Sequence, residues 1–208
     1  MAALFTSESV CAGHPDKVCD AISDAIVDAC LTIDAHARVA VETLVKGMAD
    51  KTLIVLAGEV SLNGNAPEYA EIARSTAAAI GYTDHSIGMD ATSEELCEVD
   101  VRITTQSADI AQGVDEGKGV DLDQGAGDQG LMFGYAINET DSFMPLTIDL
   151  SHKLAKQLSE VRHNGTLPWL RADGKTQVSA EYVDGKVKRI EAIVVSTQHA
   201  PEISQKDI

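Results

Sequence analysis

An α+β fold is what this chain predicts, and three observations predict it. Stretches with apolar residues spaced three and four apart alternate with short β-branched runs. Two of those β-rich pairs are joined by short turns, as hairpins are. The order helix, then hairpin, occurs at 14–60 and again at 147–197, with slight sequence similarity between the copies. Repeated helix-plus-hairpin units, with helices on one face of mostly antiparallel sheets, satisfy all three.

The elements follow in order. Residues 14–33 read as an amphipathic helix, with Val18, Ile22, Ala25, Ile26, Ala29 and Ile33 on one side and Pro15 in the first turn, where its missing N–H costs nothing. "RVAVETLVK" (38–46) and "TLIVLAGEV" (52–60) pair across "GMADK". A second helix runs from about Pro67 to Ile80 and stops at Gly81. "LCEVDVRITT" (96–105) alternates as a strand does, and residues 106–127 turn polar and glycine-rich with no core pattern, a functional or mobile loop. "LMFGYA" (131–136) reads as a buried strand, with Met132 and Phe133 in the core. A third helix is expected at Thr147–Arg162, and a hairpin around Asp184-Gly185 closes the series. Trp169 reads as a packing anchor.

Composition narrows the function classes. The 208 residues are 44% hydrophobic and 24% charged, ordinary for a globular protein with ample core. With 33 acidic against 16 basic residues, the net charge of −17 lacks the basic footprint that nucleic-acid binding needs. No apolar run approaches the ~20 residues of a membrane span, and "MAALFTSESV" has no signal-peptide pattern. A cytoplasmic protein is the expectation. Cys11, Cys19, Cys30 and Cys97 form no C-x-x-C pair and are expected as reduced thiols. A polyphosphate ligand would need Mg²⁺ to bridge it to carboxylates, or lysines from elsewhere.

"GHPDK" (13–17) stands at the mouth of the first helix. The first N–H groups of a helix lack intrahelical partners, and the helix dipole adds positive charge there, so phosphates bind such places. Gly13 permits close approach, His14 can donate to a phosphate oxygen, Lys17 can neutralise it, and Asp16 can hold Mg²⁺. The bland reading is a favourable first-turn carboxylate on a solvated acidic face, since Asp16, Asp20, Asp24 and Asp28 recur every fourth residue. His36, His85, His152, His163 and His199 show no ligand pattern.

Further motifs decide between these readings. "GHPDK", "QGAGDQGLMFGYA" (124–136) and "RHNGTLPWLRADGKTQV" (162–178), with "LFTSESV", "QSADIAQGVD" and "VSTQH" in the same order, closely resemble the methionine adenosyltransferases, or S-adenosylmethionine synthetases. The resemblance covers essentially the whole chain.

It implies attack of the methionine sulfur on C5′ of ATP, with release of triphosphate and its hydrolysis to pyrophosphate and phosphate. By resemblance, His14 contacts the ATP phosphates and, with Lys17, serves catalysis; Asp173, Gly174 and Lys175 contact ATP; Glu59, Gln106 and Asp128 bind methionine; Asp16 binds Mg²⁺ and Glu42 K⁺. ATP and L-methionine are then the substrates, and a homodimer or higher oligomer carries the active site between subunits. Residues 106–116 match a mobile loop that closes over the site. Domains assembled from separated segments are also implied: 1–12 with 139–208, 13–109, and strands within 117–138 of a third domain.

Some positions depart from the family pattern. Ala12 replaces an acidic residue, the turn after Lys46 is longer, and Ala108 and Ala172 replace prolines. Ile137 replaces a small polar residue after "GYA". The family's glycine-rich "GGGAFSGKD" loop and later lysines do not occur. A C-terminal complement is therefore expected to be needed for activity; the alternative is a non-catalytic nucleotide- or methionine-binding partner subunit.

Overall fold

The computed structural model describes residues 2–105, 123, 125–126 and 129–208. The elements run β1 (Ala2–Val10), α1 (Pro15–Ile33), β2 (Arg38–Gly47), β3 (Thr52–Ser61), α2 (Tyr69–Ile80), β4 (Thr83–Asp84), β5 (Met89–Asp90), β6 (Cys97–Thr104), α3 (Leu146–His163), β7 (Leu170–Val183) and β8 (Lys186–His199). The α+β expectation holds. Two three-stranded sheets, β1-β7-β8 and β2-β3-β6, carry the helices, and β4 and β5 form a small pair.

The sheets are mostly antiparallel, as expected, with one parallel pairing. β3 pairs antiparallel with β2 but parallel with β6, because α2 carries the chain back across before β6 begins. α1 follows its apolar pattern: Val18, Ile22, Ile26 and Cys30 form one buried line against Ile54, Leu56 and Val60 of β3. Each such side chain, fully buried, contributes roughly 1.5–3 kcal/mol. Ile33, expected on that face, is exposed at the end of the helix. α2 presents Ala73 and Ala77, both fully buried, and these small side chains let it lie close in the same core.

In the first sheet, β1 pairs antiparallel with β7 from Ala2↔Val183 to Val10↔Lys175. α3 binds it through hydroxyls: Ser151 Oγ donates to the Ser7 carbonyl, and Thr176 Oγ1 donates to the Ser151 carbonyl. The β7–β8 turn is Asp184-Gly185 with φ of 50° and 77°, both left-handed, as a two-residue hairpin turn requires. All four cysteines are free; burial pushes the thiols of Cys11, Cys30 and Cys97 upward, as it does that of the half-buried Cys19. No helix among the described residues is long and apolar enough to cross a membrane.

One expectation is overturned. Residues 131–136 are neither a strand nor buried, and Met132 and Phe133 are 85% and 92% exposed. An apolar run shows that a segment gains by burial, but it does not supply the surface that buries it.

Candidate functional site

The helix mouth is anchored to β7 backbone to backbone. Gly13 N donates to the Ala172 carbonyl at 3.0 Å and Cys11 N to the Gly174 carbonyl at 2.8 Å. A Cβ on Gly13 would lie 2.5 Å from Ala172, so the approach admits only glycine. Ala172 itself is buried under this contact. The Tyr82 hydroxyl donates to the Gly13 carbonyl. Burial, and then the nearby charge of Asp173, push that phenol up to about 12.

His14 is the N-cap of α1, and Pro15 opens the helix. The His14 Nδ1 accepts from the Asp16 amide at 3.3 Å, which assigns the proton of the neutral ring to Nε2. The Asp16 carboxylate is 89% exposed and 3.7 Å from Nδ1. Lys17 is 3.5 Å from Asp20, and Lys175 is 4.0 Å from Glu8 across the β1–β7 pair. Such long, half-exposed contacts hold a lysine loosely.

These groups border one open cavity of about 620 Å³ between the mouth of α1, the end of β1 and the flank of α3. His14, Asp16, Lys17 and Lys175 are brought together there. The structure adds His152, Lys156 and Ser159 from α3, and Glu8 from β1. The His152 Nδ1 is 2.8 Å from Ser9 Oγ. The signal for the α3 residues was their spacing of four and three, a polar stripe on one helix face. Lysines and histidines thus gather around one cavity of a chain whose net charge is −17.

The other expected residues lie elsewhere. Asp173 borders a smaller cavity of about 180 Å³ with Gly13, Pro15 and Tyr82, on the other side of the helix mouth. Gly174 is buried in the sheet, where a Cβ would stand 3.1 Å from the Ser196 carbonyl oxygen. Glu42 and Glu59 occupy the face of the second sheet turned away from α1, offset by one step, with Glu42 opposite Ala57 and Ala40 opposite Glu59. Glu42 was expected to point inward; strand alternation instead places it on the exposed face, with Val39, Val41 and Val45 against the core. Gln106, Asp128 and the 106–116 loop lie outside the described residues.

Among the described residues no three histidine, cysteine or carboxylate side chains converge. A lone exposed Asp16 beside a helix mouth fits Mg²⁺, which binds through one or two carboxylates and substrate phosphates, keeping its other positions for water.

Residues 2–108 match the N-terminal domain model of S-adenosylmethionine synthetase, and residues 123–208 match its central domain model. The chain is 51% identical over 210 residues to the S-adenosylmethionine synthase of Brachyspira hyodysenteriae, covering 98% of this chain and 51% of that protein. Against the synthase of Clostridium tetani the identity is 51%, covering 100% of this chain and 53% of the relative. With that of Desulfosudis oleivorans it is 50%, covering 99% and 51%. The chain spans about half the length of these relatives. It belongs to the S-adenosylmethionine synthetase family.

Proposed function

We propose that the chain carries the polyphosphate-binding half of a methionine adenosyltransferase, which makes S-adenosylmethionine from ATP and L-methionine. The observation that carries this is the cavity at the mouth of α1, where His14, Lys17, Lys156 and Lys175 surround one space. In the reaction the methionine sulfur attacks C5′ of ATP, the C–O bond to the triphosphate breaks, and the triphosphate is hydrolysed to pyrophosphate and phosphate. That step needs aligned reactants and a stabilised leaving group.

The chain's own residues answer the second need. His14 donates from Nε2 to a phosphate oxygen, its ring oriented by the Asp16 amide. Lys17 and Lys175 neutralise the charge that grows on the departing oxygen, and Asp173 and Gly174, which precede Lys175 within β7, join it in contacting ATP. Asp16 would hold Mg²⁺, which supplies further charge neutralisation when bound. Glu59, with Gln106 and Asp128, receives methionine, and Glu42 contributes to a K⁺ site on the same sheet face. Glu42 and Glu59 lie apart from the cavity, which fits a site completed by a second subunit.

The domain assignment is part of the same reading. Residues 1–12 with 139–208 form one domain and 13–109 another, with 117–138 contributing to a third. The β1–β7 pairing supports the first assignment. Full activity requires a C-terminal complement.

The test is Asp16→Asn in the chain co-expressed with the C-terminal half of the Brachyspira hyodysenteriae synthase. Turnover with ATP, methionine, Mg²⁺ and K⁺ is expected to fall roughly 10²-fold, with melting unchanged because Asp16 is 89% exposed. Unchanged turnover would overturn the reading.

A further inference from the structure

The cavity at the mouth of α1 has a second wall for which the motif residues do not account. His152, Ala155, Lys156 and Ser159 stand three, one and three residues apart on α3, so one face of that helix borders the space. Ala155 is buried on that face, with the Cys11 thiol 3.7 Å from its carbonyl, and this small side chain lets the helix lie close to the end of β1.

The His152 ring is held at one end. Its Nδ1 is 2.8 Å from the Ser9 hydroxyl, and among the described residues its Nε2 has no hydrogen-bond partner. An anion at Nε2 selects the form in which Ser9 donates to Nδ1 and Nε2 carries the proton. Lys156, one turn further along, meets Glu160 at 4.0 Å, an exposed contact that leaves its ammonium free to turn. Lys153 differs: it is 2.7 Å from Asp149 and does not border the cavity.

The cations fall in a row. His14 and Lys17 stand at the helix mouth, Lys175 is paired in register with Val10, and His152 meets Ser9, the next residue back. Between the two ends the floor is Val10, Cys11 and Ala12, which carry no charge at neutral pH. Three lysines face two carboxylates here, and one of those, Glu8, already receives a bond from Gln177 at 2.9 Å. A volume of about 620 Å³ is far more than one phosphate group fills. Cations spaced along an elongated space suit a linear anion with charge at both ends.

We propose that His152 and Lys156 form a second phosphate site on α3, which binds the far phosphate of a linear polyphosphate and so selects a chain of phosphates over a single one. ATP and free triphosphate share that chemistry. The proposal deepens the functional reading and rests on it, since it assigns residues outside the motifs to the same ligand.

The test titrates the 208-residue chain with tripolyphosphate, ATP and orthophosphate, each with Mg²⁺, by calorimetry. Tripolyphosphate is expected to bind at least tenfold more tightly than orthophosphate. His152→Ala and Lys156→Ala are each expected to weaken tripolyphosphate at least fivefold and orthophosphate less than twofold, because a single phosphate sits at the helix mouth. Lys153→Ala removes an equal charge from the same helix and is expected to leave every affinity within twofold. All three side chains are exposed, so melting should not change. The imidazole ¹⁵N signal lost in His152→Ala is expected to shift with tripolyphosphate in the unsubstituted chain and not with orthophosphate. A matching loss with ATP assigns the site to the bound nucleotide as well; loss with tripolyphosphate alone assigns it to the released triphosphate. No binding of tripolyphosphate, equal weakening of orthophosphate, or equal loss with Lys153→Ala would overturn the proposal. If His14→Ala abolishes tripolyphosphate binding and His152→Ala leaves it intact, the second site falls and the enzyme reading stands. If His152→Ala acts as expected while Asp16→Asn leaves turnover of the co-expressed halves unchanged, the second site stands and the enzyme reading falls.

Discussion

The α1–β2–β3 and α3–β7–β8 units use one plan and differ in which hairpin strand is bordered by a third. In the first, β6 lies along the later strand β3 and β2 is the edge, and the core is aliphatic from Val18 to Leu56. In the second, β1 lies along the earlier strand β7 and β8 is the edge, and the helix meets the sheet through Ser151, Thr147 and Thr176, buried hydroxyls whose bonds are satisfied. Burial, and with it the strength of each position, follows from which neighbours complete a unit more than from the residue type at that position.

The comparison can be broken most sharply by truncation. Leu56→Ala is expected to lower the unfolding free energy by ~2–5 kcal/mol, whereas Ile193→Ala, half exposed, should cost about 0.5 kcal/mol or less in the chain alone. Equal shifts in urea midpoint would erase the distinction between the units.

The seam between the units comes next. Gly13→Ala forces a Cβ against the Ala172 backbone and should cost roughly 1–3 kcal/mol. If urea unfolding shows no loss, the helix mouth is not braced on β7 as described. Other seam contacts are polar: Arg162 donates to the Ile80 carbonyl, and Gln198 donates to the Ile87 carbonyl.

The smallest expected effect is a pH dependence. The Tyr82 phenol is raised from 10.0 to about 12, so its share of stability is intact below pH 10 and is lost as pH rises toward 12, where the unfolded chain ionises first. Tyr182, also raised to about 12 by burial and its bond to Glu139, adds to the same slope. Tyr82→Phe should flatten the fall in melting temperature over that window without abolishing it; an unchanged slope would remove Tyr82 from the seam.

Much of this was legible in the sequence. α1 and both hairpins follow from apolar spacing and turn residues, and α2 differs only in starting at Tyr69 instead of Pro67. β1 escaped because its partner lies far along the chain and its own "TSES" carries no apolar alternation. β4 and β5, two residues each, are too short to leave a pattern. The parallel placement of β6 depends on where α2 delivers the chain, which periodicity does not encode. In the site, His14, Asp16, Lys17 and Lys175 were readable as motif residues. His152 and Lys156 were not, because a polar helix stripe looks the same whether it faces a cavity or bulk water.

The pairing of Ala2 with Val183 has a consequence for how the chain is made. β1 ends at Val10, yet its partner β7 begins only at Leu170. At 5–20 residues per second the wait is roughly ten to thirty seconds, long against the microseconds in which a hairpin closes. Throughout it, Leu4 and Phe5 sit on a strand with nothing to pair with. On the ribosome, the α1–β2–β3 unit can therefore mature while β1 remains unpaired, open to whichever chaperone reaches it first.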